Sequence, residues 1–243
     1  MASEAERPAF YALRPGGWRD LVTLLHPPYT AWHLSYVAIG AATAPHLYAG
    51  RLGAALGGFF LAVGVSAHAL DELRGRPLGT RMSERTLWAL AVAGLAGALA
   101  LGVFGVVTVS AWLVVFMAAG SFILVAYNLE LFGGAFHSDA WFALAWGAFP
   151  AFTGYFVNAL DVRVQAVLVA LACLLLSAAQ RRLSTPVREL RRRTAEVRGI
   201  QRLRDGTTVA LTAQRISEPI ERSLSALSLA LVLLAAGLVA ARL

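Results

Sequence analysis

Seven apolar windows, at residues 29–49, 52–71, 86–104, 107–128, 139–160, 163–180 and 223–241, set the limits on how this chain can fold. Each is close to the ~20 residues an α-helix needs to cross the hydrocarbon of a bilayer. With 58% hydrophobic and 14% charged residues, the chain is too apolar for a soluble domain of 243 residues. Lipid accepts only segments whose backbone polar groups are satisfied internally. The pattern therefore predicts an all-α, polytopic membrane helical bundle of about seven transmembrane helices.

Arginine placement orients that bundle. All 21 basic residues are arginine, and only Arg51, Arg163 and Arg242 fall outside three segments: the N-terminus, residues 72–85 and residues 181–222. The positive-inside rule then puts the N-terminus inside and the C-terminus outside, in a prokaryotic cytoplasmic membrane. Residues 1–27 read as a cytoplasmic or interfacial segment, with Trp18, Leu21, Val22, Leu24 and Leu25 on the membrane surface. Glu4, Glu6 and Asp20 stand where a cleavable signal would carry an apolar core, so none is expected. Residues 28–243 read as a single transmembrane domain with a basic cytoplasmic segment at 181–222. Within that segment Pro186–Arg204 reads as a basic helix, Asp205-Gly206-Thr207 as a turn and Ser217-Glu218-Pro219 as the start of the last helix. The arginines suit anionic membrane lipids. The stretch lacks a nucleic-acid recognition fold, so no nucleic-acid partner is expected, and protein partners are not legible. The single cysteine, Cys173, excludes an intrachain disulfide.

Residues with chemistry gather at the inner ends of the helices. His68, Asp71 and Glu72 stand at i, i+3 and i+4, which places them on one helical face. Ionisable groups at the end of a membrane helix point by default to function. The plain alternative is that the two acids end the helix in water and His68 is a satisfied interior group. Arg76 and Arg81 follow in the same loop, and a second inner loop carries Tyr127, Asn128, Glu130, His137 and Asp139. His33 lies about one turn into the first helix. In the fifth window Phe142, Trp146, Phe149, Phe152 and Phe156 recur at steps of three and four. That stripe is either packing or the wall of an internal cavity, and Pro150 within it predicts a kink whose freed carbonyl a neighbouring helix must satisfy. Carboxylates and arginines around an apolar, aromatic-lined bundle suit an amphiphile with an anionic head and a greasy tail.

Two runs also resemble a known family. Asp71–Ser83, with Arg76-Pro77-Leu78 and Arg81-Met82-Ser83 followed by Trp88-Ala89-Leu90-Ala91, resembles the end of the first aspartate motif of the UbiA superfamily of intramembrane prenyltransferases. Asp71 takes the last aspartate of Asn-Asp-x-x-Asp, while Ala67 and His68 stand where Asn and Asp belong. Tyr127-Asn128-Leu129-Glu130-Leu131 is similar to the family's Tyr-Pro-x-x-Lys region, and Trp141–Pro150 to its Trp-Gly-x-x-Pro helix. The likeness covers roughly residues 25–190. Where the second acidic motif belongs, residues 180–186 hold no carboxylate, and the family's two final helices are missing.

The resemblance implies a UbiA-like fold and a divergent prenyltransferase acting on an isoprenoid (polyprenyl) diphosphate or related lipid. It implies metal assistance at the cytoplasmic end of the second helix, by Mg2+ or another divalent metal. The expected catalytic set is His68, Asp71 and Glu72, with His33 and His137 as further metal ligands. The expected substrate-binding set is Arg76, Arg81, Tyr127, Asn128, Trp146, Phe149, Arg181 and Arg182. Two other readings stay open: a different His/carboxylate metal-dependent membrane enzyme on the same scaffold, and a non-catalytic isoprenoid-binding membrane protein.

Overall fold

The computed structural model describes residues 7–243 and is 72% helical; Glu4 and Glu6 lie outside the described residues. Its helices are α1 (Trp18–Leu24), α2 (Pro27–Ala42), α3 (Ala49–Leu73), α4 (Glu84–Thr108), α5 (Leu113–Asn128), α6 (Asp139–Ala159), α7 (Val164–Arg192) and α8 (Ala213–Ala240). A helix stands at each apolar window. Five of them, α3, α4, α6, α7 and α8, are long and apolar enough to cross a membrane. The other two, α2 and α5, have 16 residues each. Length and hydropathy together mark an integral membrane protein built as a helical bundle.

α2 and α6 form its centre. Trp32, Tyr36, Val37 and Ala41 of α2 are at most 1% exposed, so this helix is enclosed by neighbours. Glycine permits that enclosure. A Cβ added at Gly40 would lie 1.9 Å from the Ala151 carbonyl oxygen, and one added at Gly154 would lie 2.1 Å from that of Val37. Backbones can approach this closely only where side chains vanish, and in lipid such van der Waals contact is a main force joining helices. α8 closes the same cluster with Leu231 and Ala235. On the other side α4 meets α3, where Ser66 Oγ donates to the Ala91 carbonyl at 2.8 Å.

Two helices carry a wider π-helical stretch, Phe60–Ala67 in α3 and Leu144–Ala148 in α6. Such stretches recur at functional sites. The first ends directly before His68, and the second holds Trp146. Pro150 has no N–H to offer the carbonyl four residues back, that of Trp146. His33 of α2 meets it instead, Nδ1 to oxygen at 2.8 Å.

The basic segment differs from the sequence expectation. Pro186–Arg204 is not a separate helix, because α7 continues through Pro186 to Arg192. Beyond it, β1 (Gly199–Arg202) and β2 (Thr208–Leu211) form an antiparallel hairpin in which Ile200 pairs with Ala210 and Gln201 with Val209. The β-branched Ile200, Thr208 and Val209 favour strands, and the tight turn is fixed by Gly206 at φ 87° and by Asp205 Oδ1, which accepts from Thr207 N at 2.9 Å. α8 starts at Ala213, earlier than Ser217, because Thr212 Oγ1 caps it by accepting from Arg215 N at 3.2 Å.

The α2–α6 approach is testable. Gly154→Ala should lower the thermal midpoint of the detergent-purified protein, with an overpacking penalty of about 1–3 kcal/mol. Gly53→Ala, where nothing lies within 4 Å of the added carbon, should leave it unchanged or raise it slightly. Equal midpoints for Gly154→Ala and wild type would refute the tight crossing.

Candidate functional site

Two buried carboxylates shape the backbone at the arginine-rich end of the bundle. Glu72 is fully buried and accepts from Leu78 N, Thr80 N and Thr80 Oγ1, each at 2.9 Å. Both of its oxygens therefore serve the loop after α3. Asp20, also buried, accepts from Gly16 N at 2.8 Å and from Arg81 N at 3.0 Å. It fastens the N-terminal segment to that same loop. Leu13 N donates to Thr23 Oγ1 at 2.9 Å, folding residues 7–16 back over α1.

The arginines singled out in the sequence have structural partners or face outward. Arg76, with a left-handed φ of 53°, donates Nη1 to the Met82 carbonyl at 2.5 Å. Arg81 engages Asp20 through its backbone, and its side chain is exposed. Arg181 pairs with Asp139 at 2.9 Å and lies 5.0 Å above the Phe142 ring, whereas Arg182 is exposed. Asn128 donates Nδ2 to the Leu124 carbonyl of its own helix at 2.8 Å.

His33, His68 and His137 share a geometry. Their Nδ1 atoms lie 2.8, 3.1 and 3.0 Å from the carbonyl oxygens of Trp146, Gly64 and Tyr127. A carbonyl only accepts, so Nδ1 carries the proton, and in the neutral ring Nε2 keeps its lone pair.

Asp71 stands apart from Glu72. Its carboxylate has no hydrogen bond among the described residues, and the charges acting on it are led by Arg192 and Arg188, followed by Glu72 and His137. Around it lies a ring cluster that the sequence reading did not collect. His26 stacks on His68 with centroids 4.1 Å apart, and Tyr11 lies 5.4 Å from His26 and 5.7 Å from Tyr29. Phe10 packs at 5.2 Å on Tyr11, so the N-terminal segment roofs the cluster. Arg192 Nε holds that roof by donating to the Pro8 carbonyl at 3.1 Å. Tyr127 stacks on His137 at 4.4 Å. Three buried side-chain atoms in this region, His26 Nε2, Tyr127 Oη and Gln180 Oε1, have no hydrogen-bond partner. Buried polar atoms are paired in the large majority of cases, so such orphans require an explanation.

Below the cluster, α3, α4, α5 and α6 line a mostly apolar, half-open cavity of about 670 Å3. Phe59, Ala62, Phe116, Gly120 and Phe149 line it, and so does Trp146. Phe142 and Phe152 of the same stripe do not; Phe142 stacks on Trp146 and Phe152 on Phe116. Trp146 also lies 4.7 Å from the Tyr127 ring, so this one side chain touches both the apolar cavity and the polar cluster.

Glu72 is turned into its loop, and among the described residues no three His, Cys, Asp or Glu side chains converge as a metal site. Compared with known protein families, curated proteins and solved structures, the chain matches none. The likeness to the UbiA superfamily therefore rests on the quoted motifs alone.

Arg188 and Arg192, i and i+4 on α7, were the functional candidates missed. Their signal lay in carrying the helix through Pro186, which puts both on one face. Tyr11 and His26 were hidden in a segment read as interfacial; its Trp18 and Leu21 are exposed as that reading requires, but Leu24 is fully buried.

Two outcomes follow. Burial, then His68, Arg192 and Arg188, holds His26 far below the ordinary histidine value of 6.5, and burial followed by Tyr29 keeps the Tyr11 phenol protonated. The unfolded chain takes up a proton at His26 near pH 6.5 and the folded chain does not. Its contribution is thus complete above that pH and is lost as pH falls through it, by at most about 1.4 kcal/mol per pH unit. His26→Gln should flatten the decline in thermal midpoint between pH 7 and 5, and equal slopes would refute a neutral His26. Glu72→Ala should strand two loop N–H groups at about 1–3 kcal/mol each, whereas Asp71→Ala should not destabilise. Chemical denaturation of the two variants checks the contrast.

Proposed function

We propose that this chain is a divergent, prenyltransferase-like membrane enzyme that acts on a lipid with a long apolar tail and an anionic, phosphate-bearing head. The isoprenoid class of that lipid is what the UbiA resemblance implies. The carrying observation is the junction at Trp146. An apolar cavity of about 670 Å3, within the size range of small-molecule sites, ends at the residue whose ring meets Tyr127 and whose carbonyl is held by His33. A tail in the cavity would bring its head to the histidines, Asp71 and the guanidinium groups of Arg188 and Arg192. Guanidinium groups suit phosphate oxygens because they bind them bidentately.

The same reading takes all seven apolar helices as crossing the membrane, with the N-terminus and the arginine-rich end cytoplasmic. It is supported by eighteen of the 21 arginines falling on that side. The protein groups then have separate tasks. Phe149 and its neighbours keep the tail dry, Trp146 sets the depth of the head, and the arginines neutralise its charge.

Radiolabelled geranylgeranyl diphosphate provides the test, with the full chain in phosphatidylcholine nanodiscs. Ala62→Phe, which fills the cavity, should weaken binding about tenfold or more without lowering the thermal midpoint by more than a few degrees. Release of diphosphate in the presence of a total polar lipid extract separates an enzyme from a lipid-binding protein. A folded Ala62→Phe variant that binds like wild type removes the cavity from the reading.

A further inference from the structure

The unpartnered atoms beneath the N-terminal roof divide into two chemical kinds. One kind donates. Tyr127, 5% exposed, presents a hydroxyl with no partner, and no ion pair to a carboxylate is formed by Arg188 or Arg192 among the described residues. The other kind accepts. Asp71 receives no hydrogen bond, Gln180, 4% exposed, leaves Oε1 unpartnered, and Nε2 of His68 and of His137 keeps its lone pair. They share one region: His137 stacks on Tyr127, and His68 stacks on His26, which meets Tyr11 and through it Tyr29. Asp71 and Arg188 act electrostatically on Tyr11 and Tyr127, Arg192 acts on Tyr11 and Tyr29, and Gln180 lies beside Tyr29.

A bare phosphate or diphosphate would satisfy the arginines and the tyrosine but press anionic oxygens against Asp71. A bare polyol would satisfy the acceptors and leave two guanidinium groups uncompensated. Leaving either kind unmatched in a buried site costs more than a matched bond contributes. We infer that the cluster of Asp71, Tyr127, Gln180, Arg188 and Arg192 binds a phosphorylated polyol, with its phosphate on the arginines and its hydroxyls on Asp71 and the histidine Nε2 atoms. As a description of the substrate's head it rests on the function proposed above. As a binding site it rests on the unpartnered groups and on two guanidinium groups that, among the described residues, meet only Thr185 Oγ1 and the Pro8 carbonyl and no carboxylate. The phosphorylated polyol is either a soluble molecule or the headgroup of a lipid.

The full chain in phosphatidylcholine nanodiscs separates these cases, with myo-inositol 1-phosphate, inorganic phosphate and free myo-inositol as soluble probes. Phosphatidylinositol and phosphatidic acid, doped into the disc, are the lipid-borne pair. The expected result is that the inositol phosphate, or phosphatidylinositol, binds about tenfold tighter than its counterpart without hydroxyls, the margin of one or two hydrogen bonds. Preference for the soluble probe identifies a soluble ligand, and preference for the doped lipid identifies a headgroup. Asp71→Ala should erase that preference while leaving phosphate binding equal or stronger. The double variant Arg188→Gln/Arg192→Gln should weaken both phosphate-bearing probes about tenfold or more. Ala62→Phe, which tests the tail cavity, should leave inositol phosphate binding intact, so the two readings fail separately. If phosphate matches inositol phosphate and phosphatidic acid matches phosphatidylinositol on the wild type, or if no probe binds, the inference is overturned. A hydroxyl preference that survives in a folded Asp71→Ala variant overturns it as well.

Discussion

In a hydrocarbon interior a backbone N–H or C=O without a partner costs several kcal/mol, and the polar side chains of this protein are placed largely by that constraint. Pro150 removes a donor from α6, and His33 crosses from α2 to meet the Trp146 carbonyl it frees. In the loop after α3 the N–H groups of Leu78 and Thr80 have no backbone acceptor among the described residues, and Glu72 reaches in and accepts from both. Ser66 gives its hydroxyl to Ala91 on the neighbouring helix. Residues that look catalytic in the sequence are thus divided between holding the backbone and facing the site.

Small residues decide where the space lies. Gly40 and Gly154 let α2 and α6 approach until backbone nearly touches backbone, which leaves no room for a ligand at the centre. Space remains instead among α3, α4, α5 and α6, where aromatic rings line a cavity rather than interlock to fill it. The π-helical stretches of α3 and α6 border this cavity; His68 directly follows the first and Trp146 stands within the second. Asp71 and Glu72, adjacent in sequence, point about 100° apart on the regular turn that follows, so Glu72 meets the loop while Asp71 does not.

The N-terminal segment gives the polar end its roof. Asp20 ties it to the loop after α3, Arg192 holds its backbone, and Tyr11 lies against His26 and Tyr29. His26 itself adopts a left-handed conformation, φ 45°, directly before two prolines, and such strained backbone persists only where surrounding contacts over-determine it. The stack on His68 and the packing of Tyr11 are those contacts. Roof and ring stack are thus in direct contact above Asp71.

The sequence by itself determined the membrane class, the positions of the helices and the end of the bundle where charge collects. These follow from local quantities: the length of an apolar run, its transfer free energy, and the count of arginines between runs. It also showed that Trp146 and Phe149 belong to an aromatic face and that Pro150 needs help from a neighbour. Only the tertiary structure decided which carboxylate of the pair is free, because that depends on how the following loop folds back onto Glu72. It alone showed that Arg76 and Arg181 have partners within the protein and that Arg188 and Arg192 share a face, since the face a residue presents on α7 depends on the helix continuing through Pro186. It alone brought Tyr11 and His26 to His68. Contacts between residues far apart in the chain depend on packing that no local pattern of residues specifies.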